Sequence, residues 1–170
     1  DESSITILIP ENPIAFNGLV TDNGYSQALG ELIMLSVSES DPYGNYYPEL
    51  ATVIPTIENG LVTFDEDTWS MTVTWKIRED VFWSDGEQVT ADDVIFTANK
   101  GAEDSWQPWV DYVESIENID EFTILVTFWE EWIYPDYTLM FGGEDFFVYP
   151  EQYCDGEQNF QEWDCESNPL

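Results

Sequence analysis

Carboxylates dominate the side chains here that could do chemistry. Adjacent pairs stand at Asp92-Asp93, Glu130-Glu131 and Glu144-Asp145, and two carboxyl groups at the right separation can hydrolyse a glycosidic bond. With 36 Asp plus Glu in 170 residues, however, neighbouring acids arise by chance. Such side chains are seldom buried, so a solvated acidic surface accounts for the pairs more simply. The oxygen-rich turns Asp65-Glu66-Asp67 and Asp155-Gly156-Glu157 could hold calcium, but neither follows the EF-hand ligand order. The chain has no His and only two Cys, which excludes a His-dependent triad and a His-ligated zinc or iron site. No catalytic residue, metal site or cofactor is expected.

Aromatic residues carry the stronger signal for a binding site. All eight Trp follow residue 68. Trp106-Gln107-Pro108-Trp109 follows Gly101 in what reads as an exposed loop, and Trp129 and Trp132 bracket two acids. Exposed rings of this kind can stack on a peptide side chain or a sugar ring. Packing into the core of a strand-rich lobe is the alternative.

The elements that must position these residues follow from patterning. Hydrophobic residues at 43% and aromatics at 16% place the chain outside the disordered class despite a net charge of −33. Only Lys76, Arg78 and Lys100 are basic, which excludes nucleic acid and anionic membrane surfaces as partners. Residues 5–9 read as a strand buried on both faces, and residues 25–37 as a helix with Ala28, Leu29, Leu32, Ile33 and Leu35 at helical spacing. Residues 38–47 read as loop. Residues 61–64 and 71–77 form a predicted hairpin, Met71, Val73, Trp75 and Ile77 alternating toward the core. Thr90-Ala91-Asp92-Asp93 is a capping box, and the helix it opens is expected to end at Gly101. Strands are predicted over 110–119 and 122–129, and no periodicity organises residues 149–170. The order of strands and helices is that of an α+β fold, an antiparallel or mixed sheet with flanking helices. No basic region followed by an apolar run precedes this pattern, and no apolar run reaches the length of a spanning helix.

Between Tyr43 and Val126 the sequence resembles the extracellular solute-binding proteins of peptide-type ABC importers, which include the oligopeptide-, dipeptide- and nickel-binding proteins. The resemblance is carried, in order, by Gly44 to Ala51 with its Pro-x-Leu-Ala ending, by Trp69 to Arg78, and by Asp80-Val81-Phe82-Trp83-Ser84-Asp85-Gly86. Thr90-Ala91-Asp92-Asp93-Val94-Ile95-Phe96 and Val113 to Val126 complete it. Asp80 and Phe82 stand where the family usually has Gly and Lys.

The resemblance implies a fragment of a longer protein with a periplasmic-binding-protein type II-like lobe. Residues 1–37 would be a strand-helix element of the first, ligand-clasping lobe, and residues 38–170 the smaller inserted lobe. It implies capture of a small peptide or similar solute between lobes, delivery to an ABC permease, no enzymatic activity and a monomeric state. The location would be extracellular or periplasmic, with a lipoprotein anchor in the full-length form. It puts Trp106 and Tyr112 on the ligand side, after the Thr-Ala-Asp-Asp-Val helix. Asp22-Asn23-Gly24-Tyr25 is the second implied ligand segment, because Gly24 permits positive φ and a helix N-terminus offers N–H donors to a carboxylate. An exported protein meets an oxidising environment, so Cys154 and Cys165 are expected to pair. A secreted carbohydrate-binding module or glycosidase remnant is the alternative, resting on exposed Trp and abundant acids.

Overall fold

The computed structural model describes residues 6–10, 24–104, 107, 109–130, 134–143 and 146–154. Two antiparallel sheets and three helices appear in them: α1 (Gly24–Gly30), β1 (Ser38–Ser40), β2 (Tyr46–Pro48), β3 (Val62–Asp65), β4 (Ser70–Lys76), α2 (Ala91–Asp104), β5 (Val113–Asp120), β6 (Thr123–Phe128) and α3 (Glu151–Cys154). β1 and β2 form a small hairpin, and the main sheet has the order β3-β4-β6-β5. This is the α+β arrangement that the sequence predicts.

β4 and β6 are the central strands because their alternation is the cleanest. Val73 pairs with Val126 and Trp75 with Ile124, so one face presents Met71, Val73, Trp75, Ile124, Val126 and Phe128, all buried. Against that face pack Ala91, Val94 and Ala98 of α2, together with Phe141, Phe146 and Val148. The opposite face carries hydroxyls in register across three strands, Thr63 beside Thr72 and Thr72 beside Thr127, with the first two 2.6 Å apart. Register slippage by one residue would exchange these faces.

Several expectations are corrected. Residues 6–10 contain no strand, and Leu8 is 94% exposed; no partner strand pairs with them among the described residues. The helix predicted over 25–37 stops at Gly30, whose missing side chain admits the Phe147 ring, since a Cβ there would lie 2.7 Å from Phe147 Cε2. From residue 34 the backbone extends and threads the lobe. Val148 N–H donates to Leu35 O (3.0 Å), Val37 N–H to Phe141 O (2.9 Å), and Leu50 N–H to Ser36 O (3.1 Å). Residues 38–47 are a hairpin rather than open loop: Asp41 accepts hydrogen bonds from Tyr43 N–H and Asn45 N–H, and Gly44 takes φ 81°. Gly101 does not end α2, which runs on to Asp104 with Gly101 buried. The tail contains the short α3.

Glu49 illustrates how the threaded segment shapes pH dependence. Burial raises its pKa above the ordinary carboxylate value, donation from Ser36 N–H (2.9 Å) pulls it back, and the charge of Glu39 adds to the rise. The folded state therefore holds this proton more tightly than the unfolded chain, and stability is gained as pH falls through the raised pKa. Asp41 and Asp80 act oppositely, held below 3.8 mainly by the Asn45 amide and by Arg78 respectively; their contribution is lost as pH falls through those lowered values. Thermal melts should show a maximum at mildly acidic pH. Glu49→Gln is expected to raise stability at pH 7 by less than about 1 kcal/mol and to flatten the acid-side gain; an unchanged pH profile would reject Glu49 as its source.

Candidate functional site

The described acids are absorbed by structure. Asp93 is 3% exposed, and its Oδ2 accepts from Thr90 N–H (2.9 Å) and Trp83 Nε1–H (3.4 Å). Its Oδ1 accepts from Glu151 N–H at 2.9 Å. The capping box thus works chiefly through Asp93 reaching back to the Thr90 backbone, and the same carboxylate ties α3 to α2. Asp92 Oδ1 accepts from Asn118 Nδ2 at 2.6 Å. Asp65 turns the β3–β4 connection by accepting from Asp67 N–H (2.8 Å). Among the described residues no group of three or more His, Cys, Asp or Glu could hold a metal ion. Neither member of the Asp92-Asp93 pair faces a cleft as a free acid. Glu131, Glu144 and Asp145 lie outside the described residues.

The aromatic residues divide by depth. Trp109, expected in an exposed loop, is 4% exposed and meets Phe141 edge-on at 6.1 Å, while Trp75 meets the same ring at 6.0 Å. It packs into the core because the turn after α2 folds back over the sheet. Tyr112, just before β5, is half-buried; its ring lies 5.1 Å from Tyr134, which stacks on Phe128 at 6.2 Å. Trp129 remains exposed beside them, its N–H donating to Tyr112 O at 3.0 Å. Burial raises the pKa of the Tyr134 phenol, with smaller contributions from the charges of Asp136 and Tyr112. The outcome is an edge of neutral phenols and an indole, able to stack on a flat or apolar group and to exchange hydrogen bonds. Tyr134 was missed in the sequence because Tyr134-Pro135 lies outside any periodic segment.

Of the other expected ligand residues, Gly24 and Tyr25 open α1, an element separate from the Tyr112 edge. Gly24 does not take positive φ. Asp22, Asn23, Trp106 and Cys165 lie outside the described residues, and Cys154 is the last residue of α3. No helix among the described residues is long and apolar enough to cross a membrane.

Comparison with known proteins places this arrangement. Residues 45–164 match the family model for bacterial extracellular solute-binding proteins, family 5 middle. No curated protein sequence matches the chain. Among solved structures, the oligopeptide-binding protein from Thermus thermophilus, complexed with a pentapeptide, is 21% identical with a TM-score of 0.62, over 81% of this chain and 23% of its own. AppA from Bacillus subtilis, in complex with a nonapeptide, is 17% identical with a TM-score of 0.65, over 88% of this chain and 28% of its own. AgaA from A. tumefacien R10, in complex with agropinic acid, is 17% identical with a TM-score of 0.64, over 84% and 27%. The chain spans about a quarter of the length of these structures, which share its fold. With the family model covering more than half of its residues, the chain belongs to the bacterial extracellular solute-binding proteins of family 5.

Proposed function

We propose that this chain supplies one lobe of an extracellular or periplasmic protein that encloses a peptide-like solute between lobes and passes it to an ABC permease, without catalysis. The family match over residues 45–164 carries this reading, and the peptide complexes of two structural relatives favour peptides as the solute. Agropinic acid in a third relative extends the class to other small solutes. In this reading residues 1–37 belong with the first lobe and 38–170 with the smaller one, and the protein acts as a lipid-anchored monomer. Trp106, Tyr112 and the Asp22 to Tyr25 segment face the solute, and Cys154 pairs with Cys165. A lobe that supplies half of an enclosing surface binds weakly alone, since the remaining contacts come from closure.

The carbohydrate-binding alternative keeps the exposed Trp129 in its favour. Its hydrolytic form loses the Asp92-Asp93 pair, whose oxygens already accept protein hydrogen bonds.

The test separates solute contact from folding in the protein extended to the length of its relatives. Trp106→Ala is expected to lower peptide affinity about tenfold or more, as loss of a stacking anchor, with little change in melting temperature. Asp85→Ala removes the acceptor for Glu87 N–H (2.9 Å), and should cost about 1 kcal/mol of stability while leaving affinity unchanged. A Trp106→Ala variant that loses stability but keeps its affinity overturns the site assignment.

A further inference from the structure

On a chain of net charge −33, one concavity carries no charge at all. A groove of about 300 Å³ is lined by ten residues, none acidic or basic, with Ile33, Leu35, Leu50, Phe82, Trp83 and Val148 among them. The other two described concavities are rich in acids, Glu87, Asp92, Asp93 and Glu151 in one and Glu79, Asp120 and Glu121 in the other. Ile33 is 67% exposed and Phe82 58%, so large apolar side chains stand in water at the rim. Apolar surface left open in this way marks an interaction site.

We propose that this groove is the seat of the protein's larger lobe, an intramolecular interface that covers Ile33, Leu35 and Phe82 with an apolar, uncharged surface. Three observations choose this occupant. The structural relatives are about four times longer than the segment matched here, so most of such a protein lies outside this chain. The groove's rim is formed by residues 33–35, immediately before Ser36, Val37 and Ser38 run buried into the lobe; the rim is therefore continuous with the segment that enters from the N-terminal element. A second copy of this chain would bring another −33 to the contact, and self-repulsion of that size opposes it. The inference rests on the multi-lobe reading given above and adds where the lobes meet.

Phe82→Glu and Ile33→Glu test it, because both side chains are largely exposed in this chain and neither change should unfold it. Hydroxyl-radical labelling of Phe82 and Met34 is expected to fall several-fold in the extended protein relative to the 170-residue chain. The paired glutamates should restore that labelling and split the extended protein's single melting transition into two. Equal labelling in the two lengths would overturn the proposal. So would a concentration-dependent dimer of the shorter chain that Phe82→Glu abolishes, with labelling in the extended protein unchanged, which would assign the groove to a second copy. Peptide titration of the same samples keeps the two readings apart: protection without peptide binding rejects the solute assignment alone, and peptide binding without protection rejects the interface alone.

Discussion

Asp93→Ala is expected to destabilise the lobe by about 3–4 kcal/mol, from several buried donors left without an acceptor. The carboxylate takes hydrogen bonds from the backbone of Thr90, the indole of Trp83 and the backbone of Glu151, so its removal strands groups on three parts of the chain. The effect should exceed that of Thr90→Ala, at about 1 kcal/mol for a lost cap side chain. The Thr90 hydroxyl sits 3.5 Å from the same Asp93 oxygen, a marginal contact beside the 2.9 Å backbone bond. Asp93→Asn should fall between the two, since it keeps an acceptor but loses the charge. Urea melts of the three variants decide the order; Thr90→Ala costing more than Asp93→Ala would mean that the carboxylate is not the tie.

Salt is expected to act comparably strongly on the whole molecule. With 36 acids against 3 basic residues, repulsion opposes the compact state, and added salt screens it. The melting temperature should climb by many degrees between 10 mM and 1 M NaCl, across which the Debye length shrinks about tenfold. The bidentate Arg78 contact to Asp80, Nε to Oδ1 at 2.8 Å and a terminal nitrogen to Oδ2 at 3.0 Å, is exposed and weakens under the same conditions, so a net rise reports the acids. A flat or falling melting temperature would mean that the acids are already neutralised by bound ions or too widely spread to repel.

The parts of the fold that were legible in the sequence are those where one local rule acts without competition. Met71 to Ile77 and Phe122 to Phe128 alternate cleanly, and both form central strands with the expected face buried, apart from a half-buried Phe122. Thr90 to Asp93 places the start of α2 because the cap is local chemistry. Where tertiary contacts compete, local reading failed. Leu32, Ile33 and Leu35 sit at helical spacing, yet they follow the end of α1 and the last two rim a groove, because Ser36 and Val37 must pair with Leu50 and Phe141. Gly101 looks like a helix stop, but burial there favours a residue without a side chain and α2 continues. Tyr46-Tyr47-Pro48 is too short and too exposed to announce a strand; its partner β1 and the Asp41 turn make it one. At the site, residue type pointed to aromatics, but only packing separates core Trp109 from the half-buried Tyr112 and its neighbour Tyr134.

The most direct measurement is calorimetric titration of the extended protein with a peptide pool and, separately, with a glycan panel. Saturable binding of peptides, much weaker binding of the same peptides by the 170-residue lobe, and no binding of glycans is the predicted result. Saturable binding of glycans with no response to peptides would contradict it.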